Sequence, residues 1–228
     1  MNTRGLLDQL LKSGQELLNK QSAPGKPATG ANGLGSLLSG AGGGLLGGGA
    51  LGLLLGSKKA RKYGGKALTY GGLAALGVLA YKAYGNWQAR QGAGQGAEPQ
   101  TLDRLPPAQA EQHSQAVLRA LVAAAKSDGH IDERERALIE GEFTRLDNDR
   151  ELQHWLHDEL NKPLDPAEVA RAAQTPEMAA EMYLASVMMV DQENFMERAY
   201  LDELARQLRL DPALRQELES QVRLAGGQ

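Results

Sequence analysis

The sequence predicts an all-α protein in which a glycine-rich membrane region precedes a compact seven-helix domain. The first supporting observation is a charge split. Residues 1–97 hold 11 Lys and Arg against 2 Asp and Glu, whereas residues 98–228 hold 14 against 26. The second is periodicity, because the acidic half repeats apolar residues at helical spacing and contains no convincing strand pattern. The two halves therefore suit different surroundings.

Residues 1–20 form the first predicted element, an amphipathic helix. Its leucines repeat at helical spacing, with charged residues between them. Such a helix either pairs with a neighbouring helix or docks on a membrane surface, and the sequence favours pairing. Residues 21–32 are rich in Gly, Pro and Ala and indicate a linker.

Residues 33–88 are the predicted membrane region. The stretch 33–56 carries no charge, but 11 of its 24 residues are glycine, which weakens helix formation. The stretch 64–84 has a better composition, and as a helix of about 31 Å it would match the hydrocarbon core of a bilayer. We therefore predict a single span at 64–84, flanked by aromatic side chains suited to the lipid headgroups. These interface residues are Tyr63, Tyr81, Tyr84 and Trp87.

A basic cluster between the two apolar stretches predicts the topology. The cluster consists of Lys58, Lys59, Arg61 and Lys62. Loops rich in Lys and Arg stay on the cytoplasmic side, so a span at 64–84 places the C-terminal domain outside the cytoplasm. The same placement follows if both stretches span, whereas a span at 33–56 alone leaves the domain inside.

Small residues recur at every fourth position in the predicted span, at Ala67, Gly71 and Ala75. Rows of this kind let helix backbones approach closely in lipid. The row predicts packing against a second helix or against another copy of the chain. An alternative function follows, in which residues 33–84 form a glycine-zipper oligomer that the acidic domain regulates.

Residues 89–108 indicate a second linker, and seven helices are predicted within 109–225. Apolar spacing predicts four of them, and an N-cap residue directly before proline marks the start of the other three. In chain order they cover or begin at 113–126, 133–146, 152–160, Asp165-Pro166, Thr175-Pro176, 195–208 and Asp211-Pro212. Together they predict a compact helical domain.

Two acidic turns occupy matching places between predicted helices. The first, AKSDGHIDERE, contributes Asp128, Asp132 and Glu135, and the second, VDQENFMER, contributes Asp191, Glu193 and Glu197. Clustered carboxylates suit a hard divalent cation, although the spacing is not that of an EF-hand. Helix capping and turn formation explain the same residues and are the favoured interpretation, with a cation site as the alternative.

The composition excludes several classes of function. The chain has no cysteine, which rules out disulfides and thiolate metal sites. The acidic helical half argues against nucleic-acid binding, which needs clustered Lys and Arg. Because no nucleophile, acid–base pair or phosphate-binding loop stands in a recognisable context, we predict that the protein is not an enzyme.

Histidines and methionines are predicted to have structural roles. His154 and His157 are expected on a solvated helix face, with a transition-metal site as the alternative. His113 and His130 are expected to be exposed. The methionines of the last predicted helices are expected to pack in the core, with an adaptable groove for a partner as the alternative. They are Met178, Met182, Met188, Met189 and Met196.

Three stretches resemble known bacterial families. GSKKARKYGGKALTYGGLAALGVLAYKAYGNWQ and MERAYLDELARQLRLDP resemble the YebE-like inner-membrane protein family of unknown function, and LVAAAKSDGHIDERE resembles the tellurite-resistance TerB-like helical domain. The first resemblance implies a location in the bacterial inner membrane, where the extracytoplasmic side predicted from the basic cluster is the periplasm. The second implies a seven-helix module used in envelope stress that binds metal through acidic residues.

The TerB-like pattern matches the first acidic turn at Asp128, Asp132 and Glu135. It matches the second turn more loosely, because Gln192 and Asn194 depart from it. The resulting prediction is a membrane-anchored, non-enzymatic helical module that binds a protein partner or a divalent cation.

Overall fold

The computed structural model describes residues 3–5, 7, 72–92, 98–129, 131, 133–146, 149–190 and 194–226. These residues contain helices and no strand, so the all-α prediction is confirmed for them. Residues 3–5 are helical. The further helices are α1 (Gly72–Arg90), α2 (Pro107–Ala125), α3 (Glu133–Leu146), α4 (Arg150–Asn161), α5 (Pro166–Ala170), α6 (Pro176–Met189), α7 (Phe195–Gln207) and α8 (Pro212–Gly226).

The seven helices predicted for the acidic half correspond to α2–α8. Asp165, Thr175 and Asp211 each precede a proline and accept hydrogen bonds from backbone N–H groups of the following turn. Asn194 caps α7 in the same way, through the N–H of Met196. These caps satisfy donors that have no partner inside the helix. Because each cap is a local feature of the chain, the sequence alone places these helix starts.

Helix α6 is the centre of the fold. Every residue from Met178 to Met189 is buried, and the helix is apolar around nearly its whole circumference, as expected of a helix enclosed by others. Helices α1, α2, α7 and α8 all contact it. Met178, Met182, Met188 and Met189 lie in this core, which confirms the predicted packing role, whereas Met196 is exposed.

Helix α1 packs against α8 and α6. Its buried residues Leu76, Ala80, Ala83 and Tyr84 form one stripe at helical spacing, and Lys82 lies exposed on the other side. The two alanines are fully buried and allow the backbone of α1 to approach its neighbours closely. Helix α1 therefore shares one hydrophobic core with the helices of the acidic half.

The structure does not support the predicted membrane span over residues 72–84. Among the described residues, no helix has both the length and the apolar character needed to cross a bilayer. The described part of the stretch 64–84 lies in α1, whose apolar face contacts protein. A core helix and a membrane span can share an alanine- and leucine-rich composition, so composition alone does not separate them. Residues 33–71, which hold the rest of the predicted membrane region, lie outside the described residues.

The connection between α1 and α2 is tied to the core, although the sequence predicts a linker over 89–108. The N–H of Leu102, which is buried, donates to Glu181 Oε1 on α6 at 2.5 Å. The buried Thr101 hydroxyl donates to Asp103 Oδ1 at 2.7 Å. The described residues just before α2 therefore dock on the central helix instead of forming a spacer.

The first residues of the chain also contact the helical fold. The N–H groups of Thr3 and Arg4 donate to the Glu111 carboxylate on α2, at 2.6 and 3.1 Å. A carboxylate at a helix N-terminus satisfies free N–H groups and opposes the positive end of the helix dipole. Leu7 is buried in the core. The other residues of the predicted amphipathic helix 1–20 lie outside the described residues.

Polar contacts hold the C-terminal half of α1 to α8. Trp87 Nε1 donates to Asp211 Oδ1 at 3.2 Å, and Asn86 Nδ2 donates to Glu217 Oε1 at 2.8 Å. Arg90 Nη1 lies 3.1 Å from Glu217 Oε2. Donors from Asn86 and Gln221 and the charge of Arg90 hold the pKa of the Glu217 carboxyl below its usual range, against the effect of burial.

Two glycines of α1 provide a test of its packing. A Cβ at Gly77 would lie 2.6 Å from Asp103 Oδ1 and 2.9 Å from the Asp103 backbone nitrogen. We expect Gly77→Ala to lower the free energy of unfolding by about 1–3 kcal/mol, because the connection before α2 must shift. A Cβ at Gly85 would meet no atom of the described residues within 4 Å, so Gly85→Ala should stabilise the protein by up to about 1 kcal/mol. Chemical denaturation of both variants measures the two changes in the free energy of unfolding. Equal effects at the two positions would contradict the close packing of α1 at Gly77.

Glu217→Gln tests the contact between α1 and α8. At pH 7 the substitution should lower the free energy of unfolding by about 1 kcal/mol, because charged acceptors make the stronger hydrogen bonds. A lowered pKa means that the carboxylate contributes stability above its unfolded-state pKa, about 4.3, and loses it as pH falls through the folded-state value. The difference in the free energy of unfolding between wild type and variant should therefore shrink as pH is lowered below about 4. The exposed Glu133→Gln is the control, with an expected effect within about 0.5 kcal/mol. A difference that stays constant down to pH 3 would contradict the prediction.

Candidate functional site

The packing of α2 against α6 brings the C-terminal ends of these two helices to one end of the described fold. His113 Nδ1 lies 2.5 Å from Glu181 Oε2 near the start of the two helices. Further along both, the Ser186 hydroxyl lies 3.5 Å from the carbonyl oxygen of Ala120. Because the second contact lies nearer the C-terminus than the first in both helices, α2 and α6 run parallel. Their C-terminal ends therefore lie at the same end of the domain, and each is followed by an acidic turn.

A lysine anchors the first acidic turn. Lys126, directly after α2, donates from Nζ to the carbonyl oxygen of Glu159 at 2.9 Å and to that of Lys162. These carbonyls end α4, where a cation is favoured by the helix dipole. Burial lowers the pKa of Lys126, and the Glu159 carboxylate acts in the opposite direction. The turn continues through Asp128 to Gly129, whose φ of 101° is a conformation that glycine adopts readily.

The predicted cation ligands are described only in part. Asp128 lies exposed in the first turn, and Glu197 is buried in the first turn of α7. Glu135 lies in α3, but its side chain is not among the described ones; Asp132, Asp191 and Glu193 lie outside the described residues altogether. Within the part of the chain that the structure describes, no three His, Cys, Asp or Glu side chains are grouped to hold a metal ion. The structure thus brings the ends of α2 and α6 together, and no coordination shell is assembled among the described residues.

The described residues of the predicted membrane interface contact protein. Tyr84 is 8% exposed and packs edge-on against Trp87, with 5.2 Å between ring centroids. The Arg104 guanidinium lies over the Tyr81 ring, 3.9 Å from its centroid, in a cation–π arrangement. Ala75 is half-buried. The other residues of the predicted membrane sites lie outside the described residues: Lys58, Lys59, Arg61, Lys62, Tyr63, Ala67 and Gly71.

Sequence reasoning missed a buried polar pair. His113 was predicted to be exposed, which is wrong, because the structure buries it against Glu181, whose side chain is fully enclosed. The available signal was Glu181 itself, a lone carboxylate within the apolar turns of α6. A buried carboxylate needs hydrogen-bond partners, so such a residue predicts a distant donor. It does not identify that donor, because His113 lies 68 positions away.

The buried pair has a structural role. Burial raises the pKa of the Glu181 carboxyl, and its hydrogen bonds to His113 and to the N–H of Leu102 oppose that effect. Both carboxylate oxygens are occupied by protein atoms, and the side chain has no exposure to solvent. The pair therefore joins α2, α6 and the connection before α2.

The other described histidines lie on the surface, as predicted. His154 and His157 are exposed on α4. His157 Nδ1 lies 2.8 Å from Glu140 Oε1, a contact that joins α4 to α3. The two histidines are not grouped with a third ligand among the described residues.

Comparisons with known proteins identify a family without an assigned function. The family described as "Protein of unknown function (DUF533)" matches residues 40–222. A protein of Yersinia enterocolitica, described as "Uncharacterized protein in ampR 5'region", is 35% identical over 126 residues, which are 55% of this chain and 89% of that protein. No solved structure matches the chain. Because the family match extends over more than half of the residues, this chain belongs to the DUF533 family.

Proposed function

We propose that this chain is a non-enzymatic helical module that binds a divalent cation at the end of the fold where its two acidic turns meet. The observation that supports the proposal is the parallel packing of α2 and α6, which brings together the helix ends that lead into the two turns. A hard cation such as Ca²⁺ or Mg²⁺ takes oxygen ligands from several chain segments, which two adjacent turns can supply. The resemblance of the first turn to TerB-like domains supports the same role.

The proposed cation would connect the two halves of the helical fold. The first turn leads from α2 into α3, and the second leads from α6 into α7. A cation held by both turns would neutralise part of the repulsion in a half-chain with 14 Lys and Arg against 26 Asp and Glu. Binding would therefore stabilise the folded state, because the unfolded chain does not hold the turns together.

Calorimetric titration of the purified protein with Ca²⁺, Mg²⁺ and Zn²⁺ tests this function. We expect one of these ions to bind and the double variant Asp128→Asn, Asp132→Asn to weaken its binding at least tenfold. Asparagine keeps the turn and cap propensities of both positions while it removes their charge. Asp158→Asn, at an exposed position on α4, is the matched control and should bind like the wild type. The absence of heat with all three ions, or equal binding by the double variant, would contradict the proposal.

We further propose that the module is held at the bacterial inner membrane by the uncharged stretch 33–56. The basic cluster 58–62 follows this stretch directly, and the described part of the stretch 64–84 is packed into the helical fold. With 33–56 as the sole span, the helical domain lies on the same side of the membrane as the basic cluster. This proposal replaces the periplasmic placement, which depended on a span at 64–84.

Topology reporters placed at two positions test the membrane proposal. One reporter is inserted after Lys62, and the other is fused after Gln228. We expect both to report the same side, in protein that stays with membranes during a carbonate wash. Reporters on opposite sides would demonstrate a second span between them, and release by carbonate would contradict anchoring by residues 33–56.

A further inference from the structure

A groove of 690 Å³ lies where three separate parts of the chain meet. The C-terminal half of α1 forms one wall, the connection from α5 to α6 forms another, and the connection from α7 to α8 forms the third. Its apolar lining includes Tyr84, Trp87, Leu210 and Leu214. The volume is within the range of natural ligand pockets, and apolar walls with a few polar groups are typical of them.

Two arginines give the groove a charge opposite to that of the surrounding domain. Arg171 and Arg209 line it, both with exposed side chains. The Arg171 side chain is 73% exposed, and its Nη2 is 3.9 Å from Asp165 Oδ2, which is a weak contact. The carboxylate of the lining, Asp211, already accepts hydrogen bonds from Trp87 and from two N–H groups of α8. The groove therefore presents cationic groups in an acidic half-chain.

Arg209 occupies a position where the backbone favours glycine. Its φ is 54°, in the left-handed region. It follows the end of α7 in a Schellman motif, in which the N–H of Leu210 bonds to Ala205 O and the N–H of Arg209 bonds to Arg206 O, both at 3.1 Å. A non-glycine residue here costs about 1 kcal/mol relative to glycine. The arginine thus lowers the free energy of unfolding. Because backbone strain of this kind is concentrated at functional sites, it indicates a role in binding for the Arg209 side chain.

We propose that the groove binds a short peptide segment of a partner protein, one with Asp or Glu next to an aromatic or aliphatic residue. The apolar side chain would pack on Tyr84 and Trp87, and the carboxylates would pair with Arg171 and Arg209. Guanidinium groups bind carboxylates in a fork geometry and lose less hydration than ammonium groups do. An anionic membrane surface is the weaker candidate, because residues 98–228 hold 26 Asp and Glu against 14 Lys and Arg and would be repelled by it.

Selection from a random heptapeptide display library on the full-length protein tests this inference. A chelator is present throughout, so that cation binding at the acidic turns cannot affect the result. We expect the wild type to enrich peptides with acidic residues beside Phe, Trp, Tyr or Leu. The variant Arg171→Gln, Arg209→Gly should not enrich them. Enrichment without acidic residues, or the same enrichment by the variant, would overturn the inference.

Affinity and stability measurements on single variants separate binding from folding. By fluorescence anisotropy, Arg209→Gly should bind the best selected peptide at least tenfold more weakly, while its melting temperature stays the same or rises. Arg198→Gln, an exposed arginine on α7 that does not line the groove, is the matched control and should bind like the wild type. Unchanged affinity in Arg209→Gly would contradict the site. Arginine-dependent binding to phosphatidylglycerol vesicles that displaces the peptide would assign the groove to lipid instead.

Discussion

The complete burial of α6 is the constraint on which the rest of the fold depends. A helix that is apolar around nearly its whole circumference is stable in water only when other helices cover each side, and α1, α2, α7 and α8 do so. The enclosed Glu181 adds a second requirement, because a buried carboxylate without partners costs several kcal/mol. His113 from α2 and the N–H of Leu102 meet it. The apolar surface thus requires coverage, and the buried carboxylate specifies which segments provide it.

Both proposed binding surfaces are consequences of this arrangement. Two helices that lie parallel along the same core have their C-terminal ends at one end of the fold, and the proposed cation site depends on that placement. Elsewhere in the fold, the C-terminal half of α1 and the connections α5–α6 and α7–α8 leave a groove between them, and Arg171 and Arg209 line it. A chelator would remove a cation from the acidic end and would leave an acidic peptide bound in the groove. The two surfaces can therefore be studied independently.

Local signals in the sequence predicted α2–α8 because caps and apolar spacing act within a few residues. They did not place α1, since a core helix and a membrane span need the same composition, and only the neighbours of Tyr84 and Trp87 decide between them. The acidic turns were visible as sequence motifs, but the relative direction of the two helices that precede them was not. The pair of His113 with Glu181 and the groove are non-local, so the sequence predicted neither.

The central claim is that α1 belongs to the core built around α6, and hydrogen exchange of the full-length protein tests it most directly. Amides that open only with global unfolding share one free energy of opening, whereas separately folded segments do not. The structure predicts that the buried parts of α1 and α6, residues 76–84 and 178–189, exchange with the same free energy and the same denaturant dependence. Exchange of residues 76–84 that is independent of α6, at a different free energy of opening, would contradict the account.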